Sequence, residues 1–269
     1  MKRAAVLGNP VAHSLSPRLH GHWLKAYGID GDYQAIEVKP EALADQLKVM
    51  QQQGYRGCNL TIPHKEAVLP LMDELSEEAK AIGAVNTVFM REDGSLFGTN
   101  TDAYGFIENL RRFVGDLTPY LSHCLILGAG GAAKAVHYAL KQAGAQHISI
   151  SNRSRERCSA FDAEIIDWEK KEQALEDVTL MVNTTSLGMQ KQPPLQIALD
   201  ALPKTALVTD IVYQPLMTPL LQSAKQRGNP IVTGIGMLIY QAVPGFEGWF
   251  GQKPEVTPGC FSLLEEALV

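Results

Sequence analysis

The chain is predicted to be an α/β protein with two α/β domains and mainly parallel sheets. Strand-like and helix-like runs alternate through the first hundred residues, and a second alternating series begins near Ser122. In that second series a glycine-rich turn, "LGAGGAAKA", joins an apolar strand to an amphipathic helix. Alternation of this kind predicts parallel strands covered by helices.

The elements follow in order. "AAVLG" is a short buried strand ending in a Gly-Asn-Pro turn, and "SPRLHGHWLKAYG" is a helix with an early proline and a glycine stop. "YQAIEV" is the next strand, followed by a helix over "KPEALADQLKVMQQQG" that keeps Leu43, Leu47 and Met50 on one face. "GCNLTIP" reads as a strand and "EAVLPLMDEL" as the start of a helix, while "AVNTVFM" and "SLFGT" pair around "REDG". In the second series "HCLIL", "HISISN", "LMVNTTSLGM", "ALVTDIVY" and "PIVTGIGMLIYQAV" supply apolar, β-branched runs. A helical segment over 102–112 bridges the domains, and helices after Gly234 return to the first. The expected division is 1–101 plus about 238–269 for one domain and 102–237 for the other.

Bulk properties narrow the function. The 269 residues can bury a core without disulfides or metals. A net charge of −5 with no basic block argues against nucleic acid as a partner. Cys58, Cys124, Cys158 and Cys260 are scattered with no CxxC pair, so neither a zinc cage nor a redox dithiol is encoded. "KRAAVLGNP" is too short for a signal peptide and nothing approaches a membrane span. A cytoplasmic protein with no metal and no membrane partner is expected, with a few local cations left to bind anionic small molecules.

The glycine turn is the first chemical signal. Gly128, Gly130 and Ala133 have the G-x-G-x-x-G/A spacing: a tight turn, a close backbone approach to a pyrophosphate, and close helix-to-strand packing. Amides at the helix N-terminus then face phosphate charge. The context of strand, turn and helix is the one a Rossmann-like dinucleotide site requires. Where an NAD site carries an acid at the end of the next strand, this chain has "SNRSRER", with Arg153 and Arg157 in its place. Guanidinium groups suit a phosphate by charge and fork geometry, which favours NADP; Arg155 reads as solvated.

The second signal is "NLTIPHKE". A cation in a helix's first turn faces the positive end of the macrodipole, at a cost of about 0.3–1 kcal/mol. Read alone, Lys65 is an exposed helix lysine and Asp102 a helix N-cap. Read together, each ends a strand-like run, as ligand-facing residues do in α/β sheets. An ammonium oriented by a carboxylate is a competent proton donor to the alkoxide formed when hydride reduces a ketone.

"GNPVAHSLSPRLH", "NLTIPHK", "GAVNT", "GTNTDAYGF", "LGAGGAAKA", "NRSRER", "NTTSLGM", "DIVYQPLMTPLL" and "GMLIYQA" resemble, in order and spacing, the motifs of shikimate dehydrogenases. The similarity runs from Gly8 nearly to the C-terminus. It implies reduction of 3-dehydroshikimate with NADPH in aromatic biosynthesis, with a substrate domain completed by the last helices, a Rossmann-like domain, and the active site in the cleft between them. It implies Lys65 and Asp102 as the catalytic pair. Ser14, Ser16, Asn59, Thr61, Asn86, Asp102, Tyr213 and Gln241 are the implied substrate contacts. Gly128, Ala129, Gly130, Gly131, Ala132, Asn152, Arg153, Ser154, Arg157, Thr184, Ser186, Ile211 and Gly234, with Glu77, are the implied cofactor contacts. Gly21 stands where the family commonly has asparagine, and "NRS" replaces the more usual "NRT".

Two other readings stand beside this one: a paralogue that acts on quinate or uses NAD, and a sensor that binds nucleotide and cyclic acid without turnover. The assembly is expected to be a monomer or homodimer. His64 reads as a structural imidazole, His13, His20 and His22 lack the partners of a metal site, and Phe246, Trp249 and Phe250 read as core packing for the returning helices.

Overall fold

The computed structural model describes residues 1–268, so position 269 of the expected first domain lies outside them. The chain divides into two compact units. Unit 1 comprises Met1–Asp102 with Leu238–Ala267, and unit 2 comprises Ala103–Met237.

Unit 1 is built on a six-stranded sheet. Its strands are β1 (Lys2–Gly8), β2 (Gly31–Glu37), β3 (Gly57–Leu60), β4 (Glu74–Leu75), β5 (Thr87–Met90) and β6 (Leu96–Thr99), in the order β2-β1-β3-β5-β6-β4. β1 pairs in parallel with β2 and β3, while β5 runs antiparallel to β3 and β6. Ala4, Ala5, Val6 and Leu7 are all buried, because a strand in a parallel sheet is covered on both faces. Helix α1 (Ser16–Ala26) and α2 (Leu43–Gln52) follow β1 and β2. Leu43, Leu47 and Met50 of α2 pack on Ala5, Leu7 and Cys58. An aromatic cluster of Trp23, Tyr33, Phe246, Trp249 and Phe250 joins α1 and β2 to the returning helix. The Trp249 indole N–H donates to the Val88 carbonyl at 3.1 Å, which pins that helix to the sheet.

Three sequence expectations for local structure are corrected. The helix expected over "EAVLPLMDEL" is only one turn, α3 (His64–Ala67), followed by a 3-10 turn at Leu69–Leu71 and then β4. Pro70 cannot donate to the Glu66 carbonyl and would clash with it, so the helix stops; Leu69, Leu71, Met72 and Leu75 turn onto the core. The apolar run "PIVTGIGMLIYQAV" is strand only at β12 (Ile231–Val232); the rest belongs to α8 (Ile235–Phe250), the helix expected after Gly234. Its buried Ile235, Ile239, Ala242, Val243, Phe246, Trp249 and Phe250 recur at helical spacing, which outweighed β-branching. A strand that the sequence reading did not identify, β9 (Glu164–Asp167), lies at the edge of the second sheet. Its four residues, between charged flanks, are too few to show alternation.

In unit 2 the remaining strands are β7 (His123–Leu127), β8 (His147–Asn152), β10 (Leu180–Asn183) and β11 (Leu207–Asp210). The sheet is parallel throughout, in the order β12-β11-β10-β7-β8-β9. Counted along the chain from β7, this is the doubly wound 3-2-1-4-5-6 order, with its switch point between β7 and β10. The helices are α5 (Asp102–Val114), α6 (Gly131–Gln142) and α7 (Pro219–Arg227), with α4 (Glu77–Ile82) and α9 (Pro258–Glu265) in unit 1. Among the described residues no helix bridges β10 and β11; an irregular segment brings Leu195, Leu199 and Leu202 into the core instead.

At Gly57 the sheet and the returning helix meet closely. Its φ is +154°, and a Cβ there would stand 2.0 Å from the Val88 carbonyl oxygen and 2.3 Å from the Trp249 indole nitrogen. Gly57→Ala should therefore destabilise the protein by about 3 kcal/mol or more, read by urea denaturation; a loss below about 1 kcal/mol would mean that the helix-to-sheet contact yields freely.

Candidate active site

In unit 1 the candidate residues gather along one edge of the sheet. β1 and β3 end there at Gly8 and Leu60, and the antiparallel register brings Asn59 opposite Thr87 and Thr87 opposite Thr99. Just beyond β3, the Thr61 N–H bonds the Leu7 carbonyl at 2.9 Å, and the Lys65 carbonyl accepts from Val85 N–H at 2.8 Å. These bonds tie the one-turn α3 to the start of the hairpin. His64 is buried, with its Nε2 2.7 Å from the Val38 carbonyl, a structural imidazole as expected.

Lys65 and Asp102, 37 residues apart, meet at 2.5 Å between Nζ and Oδ2. The lysine side chain is 24% exposed and the aspartate 8%. Asp102 is the first residue of α5, and its N–H is held by Asn100 Oδ1 at 3.0 Å. Its second oxygen, Oδ1, accepts from Asn86 Nδ2 at 2.8 Å. The ammonium thus has a path to solvent while the carboxylate is held from both sides. An orienting carboxylate beside a partly accessible proton donor is an acid–base arrangement.

The other unit 1 candidates are linked to this pair. Asn86 also contacts Gln241 Oε1 at 3.3 Å and Thr101 Oγ1 at 3.1 Å. Asn59 donates to the Asn86 carbonyl and to Thr87 Oγ1, and accepts from the Tyr33 phenol at 2.6 Å. Tyr33 also meets the Ser16 hydroxyl, and burial pushes its pKa well above 10. Ser14 Oγ accepts from Ser16 N–H at 3.3 Å at the start of α1. Thr61 is half-buried and packs so closely on Gly8 that a Cβ there would meet its methyl at 2.4 Å. The sequence reading did not single out Tyr33, Thr87, Asn100 and Thr101; polar residues set inside or beside buried strands were their only signal.

In unit 2, Gly128 has a φ of +110°, and a Cβ there would meet Thr184 Oγ1 at 2.6 Å. Thr184 bonds the Leu127 carbonyl through both its N–H and its hydroxyl, closing the switch point between β7 and β10. At Gly130 and Gly131 a Cβ would meet no heavy atom within 4 Å, so the backbone before α6 stands open. α6 has no side-chain cap and no acid in its first turn, and Ala133 is fully buried. Open amides at a helix N-terminus fit a pyrophosphate. At the end of β8, Asn152 Nδ2 holds the Ser154 carbonyl at 3.0 Å. Arg155 is exposed, as its reading as solvated expected, and pairs at the surface with Asp167. Arg153 and Arg157 are exposed, and among the described residues neither has an ion pair, which fits a site for a phosphate.

Asp210, at the end of β11, organises the neighbouring loops. It accepts from Asn183 Nδ2, Val212 N–H and Thr218 Oγ1 at 2.8–3.0 Å. Asn183 in turn holds Thr185, two residues after β10 and next to Ser186. Ile211 and Gly234 are in backbone contact; a Cβ on Gly234 would meet the Ile211 carbonyl at 2.4 Å. Tyr213 is half-buried, and its phenol is pushed up by burial. Glu77 lies on α4 of unit 1, exposed, with Oε1 2.7 Å from Lys80 Nζ. Among the described residues no helix is long and apolar enough to cross a membrane and no acidic, histidine or cysteine cluster could hold a metal.

Comparison with known proteins identifies the family. Residues 6–88 match the family model for the shikimate dehydrogenase substrate binding domain, and 115–187 match that for shikimate / quinate 5-dehydrogenase. Over 260 residues the chain is 52% identical to the shikimate dehydrogenase (NADP(+)) of Paramagnetospirillum magneticum, covering 94% of each protein. The chain belongs to the shikimate dehydrogenase family. Shikimate 5-dehydrogenase from Thermus thermophilus, solved with NADP(H) and shikimate, is 40% identical, with a TM-score of 0.87 over 100% of this chain and 98% of that one. Quinate dehydrogenase from Corynebacterium glutamicum, solved with NAD, is 30% identical with a TM-score of 0.88, covering 99% and 98%. The family that the motifs resemble is thus the one to which the chain belongs.

Burial pushes the Asp210 carboxyl up from the usual 3.8 to about 6, against the pull of its three donors. The folded state therefore holds this proton more tightly than the unfolded chain. Its stabilising contribution is complete below pH 3.8 and is lost as pH rises through 6, a change on the order of 3 kcal/mol. Asp210→Asn should remove this dependence, so that its stability relative to wild type rises between about pH 4 and 7 in chemical denaturation. A constant difference across that range would rule out the effect.

Proposed function

We propose that this chain is an NADP-dependent shikimate dehydrogenase, an oxidoreductase that interconverts 3-dehydroshikimate and shikimate in aromatic biosynthesis. The observation that carries the reading is the contact of Lys65 with Asp102, made at a sheet edge by a chain of this family. When bound, NADPH supplies the hydride that the ketone carbon takes up. The chain's own residues handle the proton and the positioning.

In reduction the Lys65 ammonium gives a proton to the oxygen that becomes the shikimate hydroxyl, and solvent returns it. In oxidation the neutral amine takes that proton. Asp102 remains a carboxylate, holding the lysine and a substrate hydroxyl. Ser14 and Ser16 bond the substrate carboxylate, while Asn59, Thr61, Asn86, Tyr213 and Gln241 are its further contacts. Gly128, Ala129, Gly130, Gly131 and Ala132 hold the pyrophosphate. Asn152, Arg153, Ser154 and Arg157 hold the phosphate that distinguishes NADP; Thr184, Ser186, Ile211, Gly234 and Glu77 complete the cofactor contacts.

The family model that names both shikimate and quinate supports a second reading, in which this chain also oxidises quinate. Arg153 and Arg157, without carboxylate partners among the described residues, argue against NAD as the main carrier. The sensor reading is disfavoured because binding without turnover has no use for a paired ammonium and carboxylate. Initial rates for shikimate and quinate, each with NADP⁺ and NAD⁺, separate the three: shikimate with NADP⁺ should be fastest, and binding without turnover in every combination would leave only the sensor.

Lys65→Ala should lower kcat about 10²–10⁴-fold, with a smaller effect on the KM for shikimate. A rise in KM at unchanged kcat would make the lysine a binding group only. Arg153→Ala should raise the KM for NADP⁺ about tenfold or more and leave that for NAD⁺ nearly unchanged; equal effects on both cofactors would remove the arginine from phosphate recognition.

A further inference from the structure

The amide of Asn86 is held through both its oxygen and its nitrogen. Its Oδ1 accepts from Thr101 N–H at 2.8 Å and from the Thr87 hydroxyl at 2.9 Å. Its Nδ2 donates to Asp102 Oδ1 at 2.8 Å and to Thr101 Oγ1 at 3.1 Å. The direction of each bond is dictated. A backbone N–H can only donate, so Oδ1 must face Thr101 and Nδ2 must face the carboxylate. The Thr101 hydroxyl gives its own proton to the Gln241 carbonyl at 2.8 Å, which can only accept, leaving lone pairs for Nδ2. Thr87 Oγ1 accepts from Asn59 Nδ2 at 3.0 Å, and its one proton goes to Asn86 Oδ1 at 2.9 Å, nearer than the Thr101 hydroxyl at 3.2 Å. Thr87 is 0% exposed and Thr101 5%, so water does not compete for these bonds.

We propose that Thr87 and Thr101 are positioning residues for the dehydrogenase reaction. Their hydroxyls hold in place the Asn86 amide that donates to one oxygen of Asp102, which keeps the other oxygen on Lys65. The inference rests on the shikimate dehydrogenase reading above and extends it to two residues that do not touch Lys65. Removing either hydroxyl takes away one of the bonds that hold the Asn86 amide in place, and the carboxylate and ammonium shift with it. Displacements of about 1 Å in such a pair cost roughly 100-fold in rate.

The test uses the full chain in steady-state oxidation of shikimate by NADP⁺, with thermal unfolding followed in parallel. Thr87→Val and Thr101→Val remove the hydroxyls at nearly constant volume, and Thr87→Ser and Thr101→Ser keep them. Each valine variant should lose roughly 10- to 100-fold in kcat with little change in the KM for shikimate, and each serine variant should recover most of that loss. The double valine variant should lose less than the product of the two single effects, because both act through one amide. Folded valine variants with wild-type kcat would overturn the inference. So would a kcat loss that only follows the unfolded fraction and is not restored by serine; where valine prevents folding, Thr87→Ala and Thr101→Ala are judged by the same criteria. A wild-type chain that binds shikimate and NADP⁺ without turnover would overturn the functional reading and this inference with it, a result distinct from an active wild type with unaffected variants.

Discussion

The polar edge of unit 1 depends on holding one nearly buried carboxylate in place. Asp102 is 8% exposed in its side chain, and desolvating a carboxylate is tolerable only when its lone pairs are met by good donors. Lys65 meets one oxygen and Asn86 the other. A single lysine contact at a protein surface would contribute little; here the burial of the network makes geometry matter. The polar residues Asn59, Thr87, Asn86, Thr101 and Gln241 are buried because each completes the hydrogen bonding of the next.

That network also explains features of the fold that are otherwise arbitrary. β5 must run antiparallel to β3 for Thr87 to stand opposite Asn59, and β6 must return for Thr101 and Asp102 to follow. α8 must come back to unit 1 for the Gln241 carbonyl to accept the Thr101 proton. The Trp249 indole and the bare Cα of Gly57 set how closely that helix lies on the sheet. Packing against an apolar face and completion of a polar edge therefore constrain the same returning segment.

Unit 2 treats a buried carboxylate differently. Asp210 is fully buried among neutral donors, and its burial raises the pKa; Asp102 instead has an ammonium as a partner. The residue organises loops: it draws Asn183, Val212 and Thr218 together at the ends of β10 and β11. The open backbone at Gly130 and Gly131 and the exposed Arg153 and Arg157 lie on the neighbouring β7 and β8 side of the same sheet. Rigid support on one side of the switch point and open amides on the other suit a fold that holds a phosphate by its backbone.

By itself the sequence determined what local chemistry can express. The strand–glycine–helix signature, the missing acid before Arg153, the helical face of Leu43, Leu47 and Met50, and the motifs around Lys65 and Asp102 are all patterns of near neighbours. The edge strand β9 and the turn of Leu69, Leu71, Met72 and Leu75 onto the core were decided by tertiary packing, because runs this short carry too little periodicity to choose. The contact of Lys65 with Asp102 was suggested by the family motifs, but its geometry came only from strand register. Thr87 and Thr101 were invisible for a related reason: a buried hydroxyl acquires its role from the partners that distant strands bring to it.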